Sequence, residues 1–178
     1  MKVRIAALLA CIALGGAAFS EGRIDLGILV PRGAGISMGG DTQTIGGLDV
    51  TNWPFIPIPD AGAYFVKTDG AWTYGIGARA FTMIVATIAW PNAFVEFNSD
   101  RLAIEAQVGG GAFAFLSVAG SNGGFGKVAI PDVSAWYKIG KNRNFRLGGG
   151  LIGLYLPELI GDGIPFLIYL GAKGTIAL

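Results

Sequence analysis

The chain has 178 residues, of which 52% are apolar, 14% are charged and 30 are glycine. A soluble domain carries about 25% charge and about 7% glycine, so the composition argues against an ordinary soluble globule. The 13 basic and 12 acidic residues nearly cancel and form no basic stripe, which leaves nucleic acid without a footing.

The N-terminus reads as an export signal. Lys2 and Arg4 precede an apolar run from Ile5 to Leu14, and small residues follow from Gly15 to Ser20. That order of charge, apolar core and small residues is the secretory pattern, with cleavage after Ala18 or Ser20. The run is too short for a membrane anchor, which takes about 20 apolar residues. We expect 1–20 to be removed and 21–178 to form one domain. Leu8-Leu9-Ala10-Cys11 looks somewhat like a lipoprotein box, but the apolar run continues past Cys11 and better small-residue sites follow. Cys11 is the only cysteine and leaves with the signal, so the mature chain forms no disulfide. With Lys2 and Arg4 gone, 11 basic residues face 12 acidic ones, a net charge of −1.

Transmembrane helices do not fit. The longest uncharged stretches are Ala80 to Val95 and Ala106 to Gly126. The first is short for a span and holds Pro91. The second holds seven glycines, each costing about 1 kcal/mol inside a helix. In lipid only helices and closed barrels satisfy every backbone polar group, so a barrel remains.

Eight strands are expected, at 23–30, 55–67, 71–89, 93–98, 101–118, 127–139, 143–156 and 164–178. The first link, 31–54, is long and rich in Gly, Asp and Thr. The second is the tight turn Thr68-Asp69-Gly70, where Asp-Gly signals a hairpin. The third is short, at Trp90-Pro91-Asn92. The fourth and sixth are the polar turns Asn98-Ser99-Asp100 and Gly140-Lys141-Asn142. The fifth, Ala119 to Gly126, and the seventh, Pro157 to Gly163, are longer. Links two, four and six are short polar turns and links one, five and seven are longer, with only the third ambiguous; this asymmetry is the pattern of outer-membrane barrels.

Alternation assigns the faces. In the third strand, Trp72, Tyr74, Ile76, Ala78, Ala80, Thr82, Ile84, Ala86 and Ile88 share one face. In the fifth, Leu102, Ile104, Ala106, Val108, Ala112, Ala114 and Leu116 do so. In the last, Phe166, Ile168, Leu170, Ala172, Ile176 and Leu178 do so. These apolar faces suit lipid, and the opposite faces point into a lumen. Trp72, Tyr74, Tyr137 and Phe145 are expected at one membrane interface, and Trp90, Phe94 and Tyr155 at the other. A secreted soluble carrier would need polar outer faces, and Trp72 to Ile88 does not offer one.

Little in the chain carries reaction chemistry. It has no histidine, which removes Ser-His-Asp and Cys-His triads and most zinc sites. It has no phosphate loop, dinucleotide fingerprint or calcium loop. The runs Gly109-Gly110-Gly111 and Gly148-Gly149-Gly150 lie within strands and read as close-packing positions. We expect no catalytic residue, metal or cofactor.

The candidate site is the lumen. Arg79, Glu96 and Glu105 fall on successive strands and face inward. Asp25 and Lys173 fall on the first and last strands, which pair if the barrel closes. Asp132, Lys138 and Arg146 face inward too. Charges in so narrow a space need partners. They form either a salt-bridge plug or a polar constriction that selects solutes. Higher along the axis the inward residues turn apolar: Phe81, Met83 and Val85 above Arg79; Phe113 and Phe115 above Glu105 and Gln107; Ile152, Leu154 and Leu156 above Arg146; and Leu167 above Lys173. Phe81, Met83, Phe113 and Phe115 then line a pocket for an apolar molecule, or pack between loop bases. Outside the lumen, Arg32, Asp41, Asp49, Glu158 and Asp162 make the long loops mostly acidic, and Pro54, Pro57 and Pro59 stiffen the return from the first loop.

Together the signal, the topology and the alternation resemble the small eight-stranded outer-membrane barrels of the OmpX, OmpA-barrel and OmpW type. The resemblance covers 21–178 without a diagnostic motif. Many such barrels end in an aromatic residue, whereas this chain ends Thr175-Ile176-Ala177-Leu178. The resemblance implies an all-β, eight-stranded antiparallel up-and-down transmembrane barrel in a bacterial outer membrane. Its partners would be outer-membrane lipid and the assembly machinery of that membrane. The enzymes among such barrels, including omptin proteases, rely on a histidine that this chain lacks. The layered lumen is similar to that of OmpW-like proteins, which pass small apolar molecules. The expected function is non-enzymatic binding or passage of small apolar solutes. The alternative is a structural or adhesive surface protein with a plugged lumen.

Overall fold

The computed structural model describes residues 21–38, 41–43, 57–83, 85–155 and 164–178. The expected signal and most of the first and last loops lie outside the described residues. All regular structure in the described part is strand: β1 (Glu21–Met38), β2 (Asp41–Gln43), β3 (Ile58–Asp69), β4 (Trp72–Met83), β5 (Ala86–Asn98), β6 (Leu102–Ser117), β7 (Gly120–Ile139), β8 (Phe145–Gly153) and β9 (Ile164–Ala177).

Neighbouring strands pair antiparallel in chain order, and β1 pairs with β9 to close the sheet. Three-residue β2 only pairs back on the end of β1, so the barrel has eight staves. Closure leaves no free edge, as lipid requires. Glu21, Ala177 and the links 70–71, 99–101 and 140–144 lie at one end, the terminus end. The links 84–85 and 118–119 lie at the other, the loop end.

Three expected boundaries are corrected. The first strand does not stop at Val30: β1 pairs with β9 as far as Ser37, through an irregularity between Pro31 and Gly33. The third link is not at Trp90-Pro91-Asn92. β4 ends at Met83, which pairs with Ala86 at the start of β5, and Pro91 lies inside β5. Pro91 is tolerated there because the β5–β6 ladder is interrupted between Ala89 and Asn92, where a missing N–H breaks no bond. The fifth link is not a loop: Phe125 to Gly120 pair with Ala112 to Ser117, making a long hairpin.

Period-two alternation is what makes these segments staves. Leu26, Phe65, Ile104, Val108, Val133, Leu147, Ile168 and Leu170 point outward, each at least two-fifths exposed. A continuous apolar wall of this kind does not suit water. The inward positions hold Arg23, Arg79, Glu96, Glu105, Asp132, Arg146 and Lys173, all buried. Trp72, Tyr74, Tyr137 and Phe145 are exposed on the outer wall toward the terminus end, and Tyr155 is exposed nearer the loop end. Trp90 and Phe94 are not on the wall. Both are buried in the lumen, because Phe94 stands two residues and Trp90 six residues before Glu96, on the same face.

Candidate functional site

Every stave sends at least one charged side chain into the lumen. The groups are Arg23 and Asp25 on β1, Asp60 on β3, Arg79 on β4, Glu96 on β5, Glu105 on β6, Asp132 on β7, Arg146 on β8 and Lys173 on β9. Four cations thus meet five carboxylates.

They form two linked clusters. In the first, Arg23 donates to Asp25 through Nε (2.9 Å) and Nη2 (2.7 Å). The same Nη2 reaches Glu96 (3.0 Å) and Glu105 (3.3 Å). Arg146 takes the other side of Glu96 in a forked pair at 2.6 and 3.2 Å. Lys173 Nζ donates to both oxygens of Glu105 at 2.9 Å and stands 3.8 Å from Asp25. In the second cluster, Arg79 forks onto Asp60 (2.9 Å twice) and donates to Asp132 (2.6 Å). The Tyr169 hydroxyl donates to Asp132 at 2.9 Å. Gln107 joins the clusters, donating to Glu105 while accepting from Asn92 (2.6 Å) and Arg79 (3.3 Å). Forked, charge-assisted bonds of this kind offset the cost of removing the ions from water.

Aromatic rings fill the remaining space. Phe94 carries Arg23 on its face at 4.7 Å, and Trp136 carries Lys173 at 4.7 Å. Trp136 also donates to Ser134 at 2.8 Å. Trp136, Tyr169, Leu29, Glu96, Glu105 and Asp132 are fully buried. The described lumen is therefore packed at this level.

Toward the loop end the lumen turns apolar. A cavity of about 320 Å³ is lined by Phe81, Ile88, Trp90, Ile130, Ile152 and Leu167, among others. Phe81 and Trp90 meet edge to face at 4.8 Å. Arg79 lies 4.9 Å from the centre of the Phe81 ring, so the upper cluster forms the cavity floor.

Of the residues expected in the polar cluster, Asp25, Glu96, Glu105, Arg146 and Lys173 come together in one network, and Arg79 belongs to the second. Of the expected apolar four, Phe81 lines the cavity. Phe113 and Phe115 do not: each is 37% exposed on the β6–β7 hairpin beyond it. Phe115 does pair with Ile88, so the two share a face. The side chain of Met83 lies outside the described residues. Ile88, expected on the wall, faces inward because the corrected turn pairs it with Phe81.

Sequence reasoning missed Arg23 and Asp60 as partners and Trp90 and Trp136 as filling. Alternation held the signal for three of them. Arg23 sits two residues from Asp25, Trp90 six from Glu96, and Trp136 four from Asp132.

The fold and its interior define the class: a small transmembrane β-barrel with an apolar wall and an ion-paired core. Among solved structures the chain is similar to Ail, the attachment invasion locus protein of Yersinia pestis, at 12% identity over 89% of this chain and 99% of that one, TM-score 0.42. It is similar to the N-terminal β-barrel domain of Pseudomonas aeruginosa OprF, at 12% identity over 85% and 97%, TM-score 0.45. It is similar also to Neisserial surface protein A, at 9% identity over 86% and 96%, TM-score 0.46. No family model matches the chain, and no curated protein matches it in sequence.

Proposed function

We propose that this protein is a non-enzymatic barrel of a bacterial outer membrane that holds a small apolar molecule in the cavity at its loop end. The observation that carries the reading is the apolar cavity of about 320 Å³ above Arg79. That volume is at the small end of ligand pockets, roughly 300–1,000 Å³. The loop end faces outside and the terminus end faces the periplasm, as an even stave count with short turns favours. Phe115 faces Ile88 across the β5–β6 ladder, and with Phe113 it forms a lip over which a ligand enters. The packed ion-pair layers favour binding over free passage. Export depends on 1–20, and N-terminal sequencing of the mature protein is expected to begin at Glu21.

The test is binding of an apolar fluorophore to the barrel in lipid nanodiscs, read by quenching of tryptophan. Ile152→Asp is expected to abolish quenching while the unheated protein still migrates as a folded band. Full quenching in that variant would remove the cavity from the function.

A second reading, a surface protein with a plugged lumen, is favoured by the β6–β7 hairpin. Its tip residue Val118 is 88% exposed and Leu116 is 57% exposed. Deleting 113–124, with 36–48 as a second deletion, is then expected to abolish adhesion to cells or matrix. Retained adhesion in both deletions would refute this reading.

A further inference from the structure

The terminus end carries a second pocket, of about 360 Å³, formed where the β5–β6 and β7–β8 turns meet. Arg101, Tyr137, Lys138, Lys141 and Arg143 line it. Little of this charge is cancelled. Arg143 pairs with Asp100. Arg101 donates to the neutral Tyr137 hydroxyl at 3.1 Å. Lys138 donates to the Asn98 amide oxygen at 2.5 Å and the Ser99 carbonyl at 3.1 Å. Three positive charges therefore remain at one corner.

The backbone points to the same corner. Arg143 has φ of 56°, and it is the one non-glycine among the described residues in the left-handed region. L-residues avoid that region, and such departures collect at binding sites. The height of the pocket identifies the ligand. Leu102, Tyr137 and Phe145 are exposed on the outer wall beside it, at the lower edge of the apolar band. Amphipathic rings take that position at the headgroup level. A phosphate carried by a lipid can meet the cations while its chains lie along the wall above.

We propose that this pocket binds the phosphate of an anionic phospholipid in the periplasmic leaflet. The proposal rests on the outer-membrane reading above. Its chemistry is shared with free phosphate, and the apolar wall beside the cations favours the lipid.

The test uses the folded protein in an uncharged detergent. It is titrated separately with phosphatidylglycerol, with phosphatidylcholine of the same chains and with inorganic phosphate, and bound molecules are counted by native mass spectrometry. Phosphatidylglycerol is expected to bind more tightly than either alternative. Lys141→Ala and Arg143→Ala are each expected to weaken it about fivefold, as loss of one charge near a lipid surface does. Arg101→Gln serves in place of Arg143→Ala should the latter not fold. Equal binding of both lipids, binding of inorganic phosphate as tight as the lipid, or unchanged affinity in the variants overturns the proposal. Gel mobility before and after boiling separates the two levels. A folded band without lipid preference sinks this site alone, whereas no folded band sinks the membrane reading and the site with it.

Discussion

Glu96 and Glu105 stand directly opposite each other across the β5–β6 ladder, and both are almost fully buried, at 1% and 0% exposure. Like charges at facing positions oppose strand pairing. The pair is held by Arg23, which crosses the lumen from β1 and places one nitrogen against both carboxylates. Arg146 pairs with Glu96 and Lys173 with Glu105 as well.

Arg23 is therefore the bridge that lets two facing carboxylates be buried. Arg23→Met is expected to destabilise the barrel by about 3–5 kcal/mol, the cost of leaving a buried charge unpaired. The measurement is the urea midpoint of folded protein in lipid vesicles. Adding Glu105→Gln is expected to restore part of the loss, because one of the two facing charges is gone. An unchanged midpoint for Arg23→Met would show that the carboxylates do not need the bridge.

The outer wall gives a prediction that depends on depth. Val133 and Tyr137 are both outward on β7, at 57% and 48% exposure, so area alone does not separate them. Val133 lies higher in the apolar band and Tyr137 at its lower edge. Val133→Arg is expected to cost about 2–4 kcal/mol and Tyr137→Arg about 0–1 kcal/mol, as charges do at the bilayer midplane and interface. Equal costs in vesicle refolding would argue against a membrane-spanning wall.

Much of this was legible in the sequence, and the failures have local causes. Alternation gave eight staves and put Arg79, Glu96, Glu105 and Lys173 in the lumen, because a side-chain period of two leaves no other face. The break between β4 and β5 was hidden. Ile84-Val85, between Met83 and Ala86, carries no turn chemistry in sequence, and apolar alternation runs through it unbroken. Pro91 supplied a false turn signal six residues later, and Trp90, Phe94 and Ile88 were misplaced with it. The partners across the lumen were not legible at all. Arg23 and Glu96 are 73 residues apart, and only closure of β1 on β9 and the reach of a guanidinium bring them together.

Close packing at Gly148 sets another limit. It pairs with Trp136 on β7 and Gly171 on β9. A Cβ here would run into the backbone of Ala135 and Trp136, which cannot move aside without breaking the ladder. Gly148→Ala is expected to cost about 1–3 kcal/mol through overpacking. Gly174→Ala is the control, because its nearest neighbour would be 3.9 Å away. Loss of stability in both variants alike would mean that packing at Trp136 is not the cause.

The filled lumen predicts that the protein is electrically silent. An eight-stranded barrel has an interior about wide enough for side chains alone. Here Trp136, Tyr169 and Leu29 are buried beside Glu96, Glu105 and Asp132, with both clusters tied through Gln107. Ions crossing this layer would have to part several forked pairs at once. Purified protein in planar bilayers is therefore expected to give no steady openings. Trp136→Ala removes the largest of these side chains, and it is expected to cost about 3–5 kcal/mol as a core truncation does. The same change takes the indole from Lys173 and leaves space for water, so measurable conductance is expected only in the variant. Steady ohmic openings from the unmodified protein would show that the ion-paired layer parts readily, and would turn the floor of the cavity into a gate.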